Sequence, residues 1–186
     1  MELTSLIARV AAAPNDEAAW RVLGDVLLES GDPRGEYLAL SMKATQSSTV
    51  KKRLAKLFER HRQAWLGPLF PRLAPMHVRD DGERWERGFP VRLACMLDGS
   101  TVGAREWLTV RELVVVDPGV EGALPLELKP ETTPHLRAIF PYAARWSPRE
   151  GLVLAPRWPG FVRKYLESIG REALLEVPSA FWFEPR

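Results

Sequence analysis

Leu27-Leu28-Glu29-Ser30-Gly31-Asp32-Pro33-Arg34-Gly35-Glu36-Tyr37-Leu38-Ala39-Leu40 reads as the end of one helix joined to the start of the next with no linker between them. Gly31 suits the left-handed position that closes a helix C-terminus. Asp32 can accept the exposed amides of a new helix, and Pro33 at its first position gives up no needed hydrogen bond. Glu36 falls near the positive end of that helix. Gly35 is the odd member, because glycine in a helix costs roughly 1 kcal/mol relative to alanine. Close backbone approach by a neighbouring element would justify it. A glycine-lined helix start beside an arginine also suits an anion or a partner. Arg34 and Gly35 are therefore candidate partner-binding residues alongside the structural reading. The stretch is not a phosphate loop, since Gly31-x-x-x-Gly35 lacks the lysine and hydroxyl of that motif.

Working outward, residues 3–13 read as a helix stopped by Pro14, and Asn15 or Asp16 caps a second one running to Ser30. Ala19, Trp20, Leu23, Val26 and Leu27 have helical spacing. In the third helix Tyr37, Leu40 and Ala44 continue the expected buried stripe, widened by Leu38 and Met42. A fourth, over 49–64, is amphipathic, with Leu54, Leu57, Phe58, His61 and Trp65 on one side and Lys52, Lys56 and Arg60 on another.

After Gly67-Pro68 the texture changes to short strand-like pieces between turns. They are Met76–Arg79, Trp85–Leu97, Val110–Val116, Leu136–Phe140 and Leu152–Leu154. Phe89, Val91, Leu93, Cys95 and Leu97 alternate as one buried sheet face would. Helices are expected at 101–107 and 159–169, and the apolar tail through Phe181-Trp182-Phe183 is expected to dock on the body. Val110-Arg111-Glu112-Leu113 aligns with Leu136-Arg137-Ala138-Ile139 at an offset of 26 residues, with Val91-Arg92-Leu93 as a degraded earlier copy. That spacing falls within the range of leucine-rich repeats. The expected class is α+β: an N-terminal helical bundle over 1–66, then a mixed sheet over 67–186. A leucine-rich-repeat-like curved sheet and another α+β sheet both stay open.

Two families compare with the first segment. Trp20-Arg21-Val22-Leu23-Gly24 with Gly31 fits the opening of a tetratricopeptide repeat, but Glu36, Lys43 and Ser48 stand where that repeat wants alanine, alanine and proline. The stretch quoted at the start resembles more closely a short bacterial repeat-companion domain, which reads W-L-x-E-x-G-D-P-R-G-E-F/Y-I/L-x-L. Leu6-Ile7 and Pro14-Asn15-Asp16 fit its start, while Gly24-Asp25-Val26 stands where the family usually has Ala-Asp-Trp. The resemblance covers residues 1–43 and extends loosely to Trp65-Leu66-Gly67-Pro68-Leu69 and Trp85-Glu86-Arg87-Gly88-Phe89-Pro90. It implies nearby leucine-rich-repeat-like segments and no enzymatic activity.

Composition narrows the function classes. Hydrophobic residues at 46% and charged residues at 27% match a chain that buries a core. One cysteine, Cys95, excludes an internal disulfide and a multi-cysteine zinc site, and its apolar surroundings read as a buried small hydrophobe. The acidic start Met1-Glu2-Leu3-Thr4 is unlike a secretory signal, and no run is long enough for a membrane span, so a cytoplasmic protein is expected. His61, His77 and His135 have no metal-ligand spacing, and His61 reads as a core or boundary residue. Gly99-Ser100-Thr101-Val102-Gly103 is not a nucleophile elbow, and Asp80-Asp81-Gly82-Glu83 reads as a solvated turn. No catalytic residues, metal or cofactor are assigned, and the chain is expected not to be an enzyme.

The charge is uneven, with nine basic and one acidic residue over 43–79 between two acidic blocks. Lys51, Lys52, Arg53, Lys56 and Arg60 are candidate anion-binding residues. The readings for this helix are a solvated face, a site for an acidic protein partner, or a nucleic-acid site. No nucleic-acid-binding signature accompanies it, so nucleic acid is the alternative, not the leading reading. Arg145, Trp146, Arg157 and Trp158 lie in a Pro- and Arg-rich stretch and are further partner-binding candidates, since Trp and Arg are favoured at interface hot spots. The leading expectation is a non-catalytic protein-interaction module, such as an immunity or adaptor protein with one cognate partner.

Overall fold

A computed structural model describes residues 2–73, 83–97, 99–116, 129–142, 144–147 and 151–154, with single positions at 164, 167–168 and 170–171. The chain is α+β, as expected. Four helices come first: α1 (Leu3–Ala12), α2 (Glu17–Glu29), α3 (Pro33–Ser41) and α4 (Ser48–Leu66). A 3-10 turn, Gly67–Arg72, leads into a sheet of β1 (Arg84–Glu86), β2 (Phe89–Cys95), β3 (Glu112–Val116) and β4 (Ala138–Tyr142), in that order. A separate antiparallel pair is β5 (Ala144–Ser147) with β6 (Gly151–Leu154).

The α2–α3 junction carries the local chemistry read from the sequence. Gly31 takes φ 73°, Asp32 N donates to Leu27 O at 2.8 Å and Gly31 N to Leu28 O at 3.0 Å. These two bonds satisfy the last carbonyls of α2 in the manner of a Schellman cap. The next residue opens α3, since the Asp32 carboxylate accepts from Arg34 N at 2.9 Å. Asp16 and Ser47 cap α2 and α4 in the same way, accepting from Ala19 N and Val50 N.

Gly35 owes its place to α2. A Cβ there would lie 2.5 Å from Leu28 N and 2.9 Å from the Leu27 carbonyl carbon, both backbone atoms. The close approach turns Arg34, Gly35 and Leu38 inward. The stripe expected through Tyr37, Leu40 and Ala44 is corrected accordingly. Tyr37 and Leu40 are half-buried, and Ala44 lies beyond the end of α3 and is exposed.

The expected single piece Trp85–Leu97 is instead a hairpin. Arg87 and Gly88 both adopt positive φ, 52° and 87°, and fold β1 back on β2. β2 is buried at every position except Arg92, so both its faces are covered where one had been expected. From β2 onward the sheet is parallel. Leu93 pairs with Leu113, 20 residues on, and Leu113 with Ile139, 26 residues on, so the aligned stretches 26 apart in sequence are neighbours across β3 and β4. The helix expected at 101–107 is a turn over 101–103 and a 3-10 segment, Arg105–Thr109, in which Trp107 is buried and donates to Thr101 O. The strand expected at Met76–Arg79 and the apolar tail lie outside the described residues. Of the helix expected at 159–169, Lys164, Glu167 and Ser168 are helical. Just after it Arg171 donates to Thr133 O at 2.6 Å and Oγ1 at 2.8 Å.

Among the described residues two apolar clusters form the core, and each includes residues from both sides of the boundary expected at residue 66. Leu6, Val10, Trp20, Leu23, Leu27 and Leu38 gather with Phe89 of β2. Leu66 of α4 joins Leu69, Leu93, Cys95, Trp107, Leu113 and Ile139 beneath the sheet. Cys95 is buried, as its apolar surroundings suggest.

Helix propensity alone would make Gly35→Ala stabilising by about 1 kcal/mol. Contact with backbone atoms that cannot rotate away outweighs it, as overpacking costs about 1–3 kcal/mol or more. The variant is therefore expected to lose up to about 2 kcal/mol of unfolding free energy net, read as a lower urea midpoint. An unchanged or raised midpoint would show that α2 and α3 are not in contact here.

Candidate functional site

The GDPRGEY stretch and the WERGFP stretch, far apart in sequence, pack against each other. A Cβ on Gly88 would stand 3.1 Å from Tyr37 Cδ1 and 3.8 Å from Arg34 Cγ. On one side of this hairpin tip Trp20 and Phe89 lie 5.6 Å apart, with the Arg34 guanidinium over Phe89 and that of Arg87 over Trp20. On the other side the Tyr37 ring meets Trp65 at 5.3 Å and Phe58 at 6.4 Å, and Phe58 meets Trp85 at 5.0 Å. His61 stacks on Trp65 and is half-buried, a boundary residue as read from the sequence.

This packing places the candidate residues. Arg34 is 4% exposed and its guanidinium bonds to Asp32. Gly35 is covered by the end of α2. Both candidate partner-binding positions are therefore turned into the fold, Arg34 toward Phe89 and Gly35 against the end of α2. The local signal for a close approach was present at Gly35. The inward turn of an arginine had no signal of its own. Arg145 and Trp146 lie in β5, with their side chains outside the described part, and Arg157 and Trp158 lie outside the described residues.

The basic helix divides into two groups. Arg53 makes a bidentate pair with Glu36, at 2.6 and 2.7 Å, and Arg62 pairs with the buried carboxylate of Glu83. Lys51, Lys52, Lys56 and Arg60 are exposed and have no ion pair among the described residues. Four of the five anion-site candidates are thus exposed along α4, while Arg53 is paired with Glu36 of α3.

Between these elements runs a cleft of about 270 Å³, lined by Leu28 and Gly31 of the α2 end, Pro33 and Glu36 of α3, and Leu57 and Arg60 of α4, among others. Arg53, Lys56 and His61 also border it. A second cleft of about 200 Å³ lies on the other side of Leu28, against Trp20, Leu38 and Met42. Leu28 belongs to both and is 48% exposed. Sequence reading missed it, although the signal was there. Val26-Leu27-Leu28 is a run of consecutive apolar residues, and burying Leu27 turns Leu28 roughly 100° away around the helix.

The Glu36 carboxyl is held below its ordinary range, first by the hydrogen bond from Arg53, with desolvation opposing and the charges of Arg53 and His61 adding. Further along, His135 is pushed down by burial and by Arg137 and Arg111. Among the described residues no three His, Cys, Asp or Glu side chains gather to hold a metal ion, and no helix is long and apolar enough to cross a membrane. No protein-family model matches the chain, and neither the curated proteins nor the solved structures contain a match.

Two predictions follow from these pairings. Arg34→Ala removes a buried cation and its stem from Phe89 and is expected to cost about 2–3 kcal/mol, while Arg34→Met, which keeps the stem, stays within about 1 kcal/mol of the parent. Equal stability of the parent and Arg34→Ala would contradict the inward placement. A carboxyl with a depressed folded-state value contributes stability above its unfolded value and loses it as pH falls through the folded one. Glu36→Gln should therefore destabilise slightly at neutral pH, the gap closing below about pH 4. Both partners are substantially exposed, at 49% and 39%, so added salt should shrink the gap at neutral pH as well. Chemical denaturation across pH and salt reads both effects.

Proposed function

We propose that this chain is a non-catalytic protein-interaction module, of the immunity or adaptor kind, which holds one cognate protein partner. The observation that carries the reading is the outer surface of α2, α3 and α4, where the exposed Leu28 stands between two shallow clefts. An apolar centre with a charged rim is the composition of a protein-binding patch. The resemblance to the repeat-companion domain agrees with this. The module's GDPRGEY stretch and the WERGFP stretch that follows it behave as one packed unit, and the spacings of 20 and 26 residues between successive parallel strands suit a leucine-rich-repeat-like neighbour. On this reading the chain is cytoplasmic and the hairpin tip joins the companion module to its sheet.

Polyanion binding through residues 51–62 is the second reading, favoured by the four cations without ion pairs. Phe58 and Trp65 weigh against it. Both rings are turned onto Tyr37, and so do not form a platform for bases.

Capture from native lysate with the immobilised full chain, followed by mass spectrometry and nuclease treatment, separates the two. The expected result is one stoichiometric protein that survives nuclease. A nucleic-acid complex with six phosphate contacts would instead weaken on the order of 10³-fold between 50 and 200 mM salt. Recovery of nucleic acid alone, or of nothing, would overturn the protein-interaction reading.

A further inference from the structure

We infer that the cleft between the start of α3 and α4 seats an acidic segment of a protein partner, with one apolar residue of that segment entering between Leu28 and Leu57. The inference rests on the protein-interaction reading and names the chemistry of the partner.

The charge balance of the cleft carries the argument. Its two carboxylates are already neutralised, Asp32 by Arg34 and Glu36 by Arg53. The remaining rim is cationic, with Lys56 and Arg60 exposed and His61 beside them. Lys52, Lys56 and Arg60 recur every four residues along α4, so they form one row on its surface, stepping about 6 Å per cation. An extended segment with a carboxylate at every second residue repeats at about 6.7 Å, close to that step. The apolar walls at Leu28, Leu57 and Pro33 give such a segment an anchor that charge alone lacks, and the cationic rim sets its sign. A phosphate backbone would match the row but leave the apolar walls unused. Phe58 would not serve it as a stacking platform, since that ring packs edge-on against Trp85.

The test pans the immobilised full chain against a display library of random dodecapeptides. Peptides with aspartate or glutamate on both sides of a single leucine, isoleucine, methionine or phenylalanine are expected to enrich. A synthetic fluorescent copy of the most enriched peptide should lose about tenfold or more in affinity for the Lys56→Glu, Arg60→Glu double variant, and several-fold for Leu28→Ser. All three positions are exposed, and matching melting curves confirm that the variants are folded. Failure to enrich, enrichment without acidic bias, affinity unchanged in the double variant, or a single-stranded DNA oligonucleotide displacing the peptide would each overturn the inference.

Lysate capture with the double variant keeps the two readings apart. If parent and variant capture the same partner equally, the cleft assignment falls and the protein-interaction reading stands. If the parent captures no protein, the broader reading falls, whatever the library shows.

Discussion

The contact of α3 with the backbone of α2 at Gly35 is the constraint on which the rest of the molecule depends. Two helices joined without a linker can cross in several ways, and side chains at the crossing usually hold them apart. Here the side chain is missing. Backbone meets backbone, and the Schellman cap and the Asp32 cap follow each other directly. The cost of a glycine in a first helical turn is offset by the packing it permits. Once α3 is set down in this way, Arg34 and Leu38 face inward and Tyr37 is left at the boundary, toward the hairpin tip.

That orientation joins the two halves. Arg87 and Gly88 fold a hairpin whose tip fits against Arg34 and Tyr37, and β2 then runs from the helical core into the sheet core. Phe89 belongs to one cluster and Leu93 and Cys95 to the other, within seven residues of one strand. Leu66 makes the same crossing from α4. The outer surface of α2, α3 and α4 is thereby backed by packed rings and two cores. If that surface binds a partner as proposed, such support would lower the entropic cost of association.

Electrostatics then sorts the basic helix by reach. Arg53 and Arg62 find carboxylates on neighbouring elements, at Glu36 and Glu83, and are used up within the fold. The lysines and Arg60 lie along the part of α4 that faces the cleft or solvent. A net positive charge over 43–79 was plain from composition, but it does not say which charges remain available for binding. The fold spends some of them on itself.

What the sequence by itself determined lies within a few residues along the chain. The caps at Asp16 and Asp32, the left-handed Gly31 and the amphipathic α4 all depend on bonds that close within about five residues, so local residue types specify them. The alignment at an offset of 26 was also legible, because parallel strands in register repeat their apolar positions. Only the tertiary structure decided that Arg34 is buried, that Leu28 is exposed, that Trp85–Leu97 folds into a hairpin, and which cations are paired. Glu36 and Arg53 are 17 residues apart and Glu83 and Arg62 are 21 apart, while Arg34 meets a ring on a strand that lies beyond the whole of α4. Partners at that separation are chosen by how elements pack. The opening stretch therefore announced its turn and, in Gly35, a close approach, but not what would approach it.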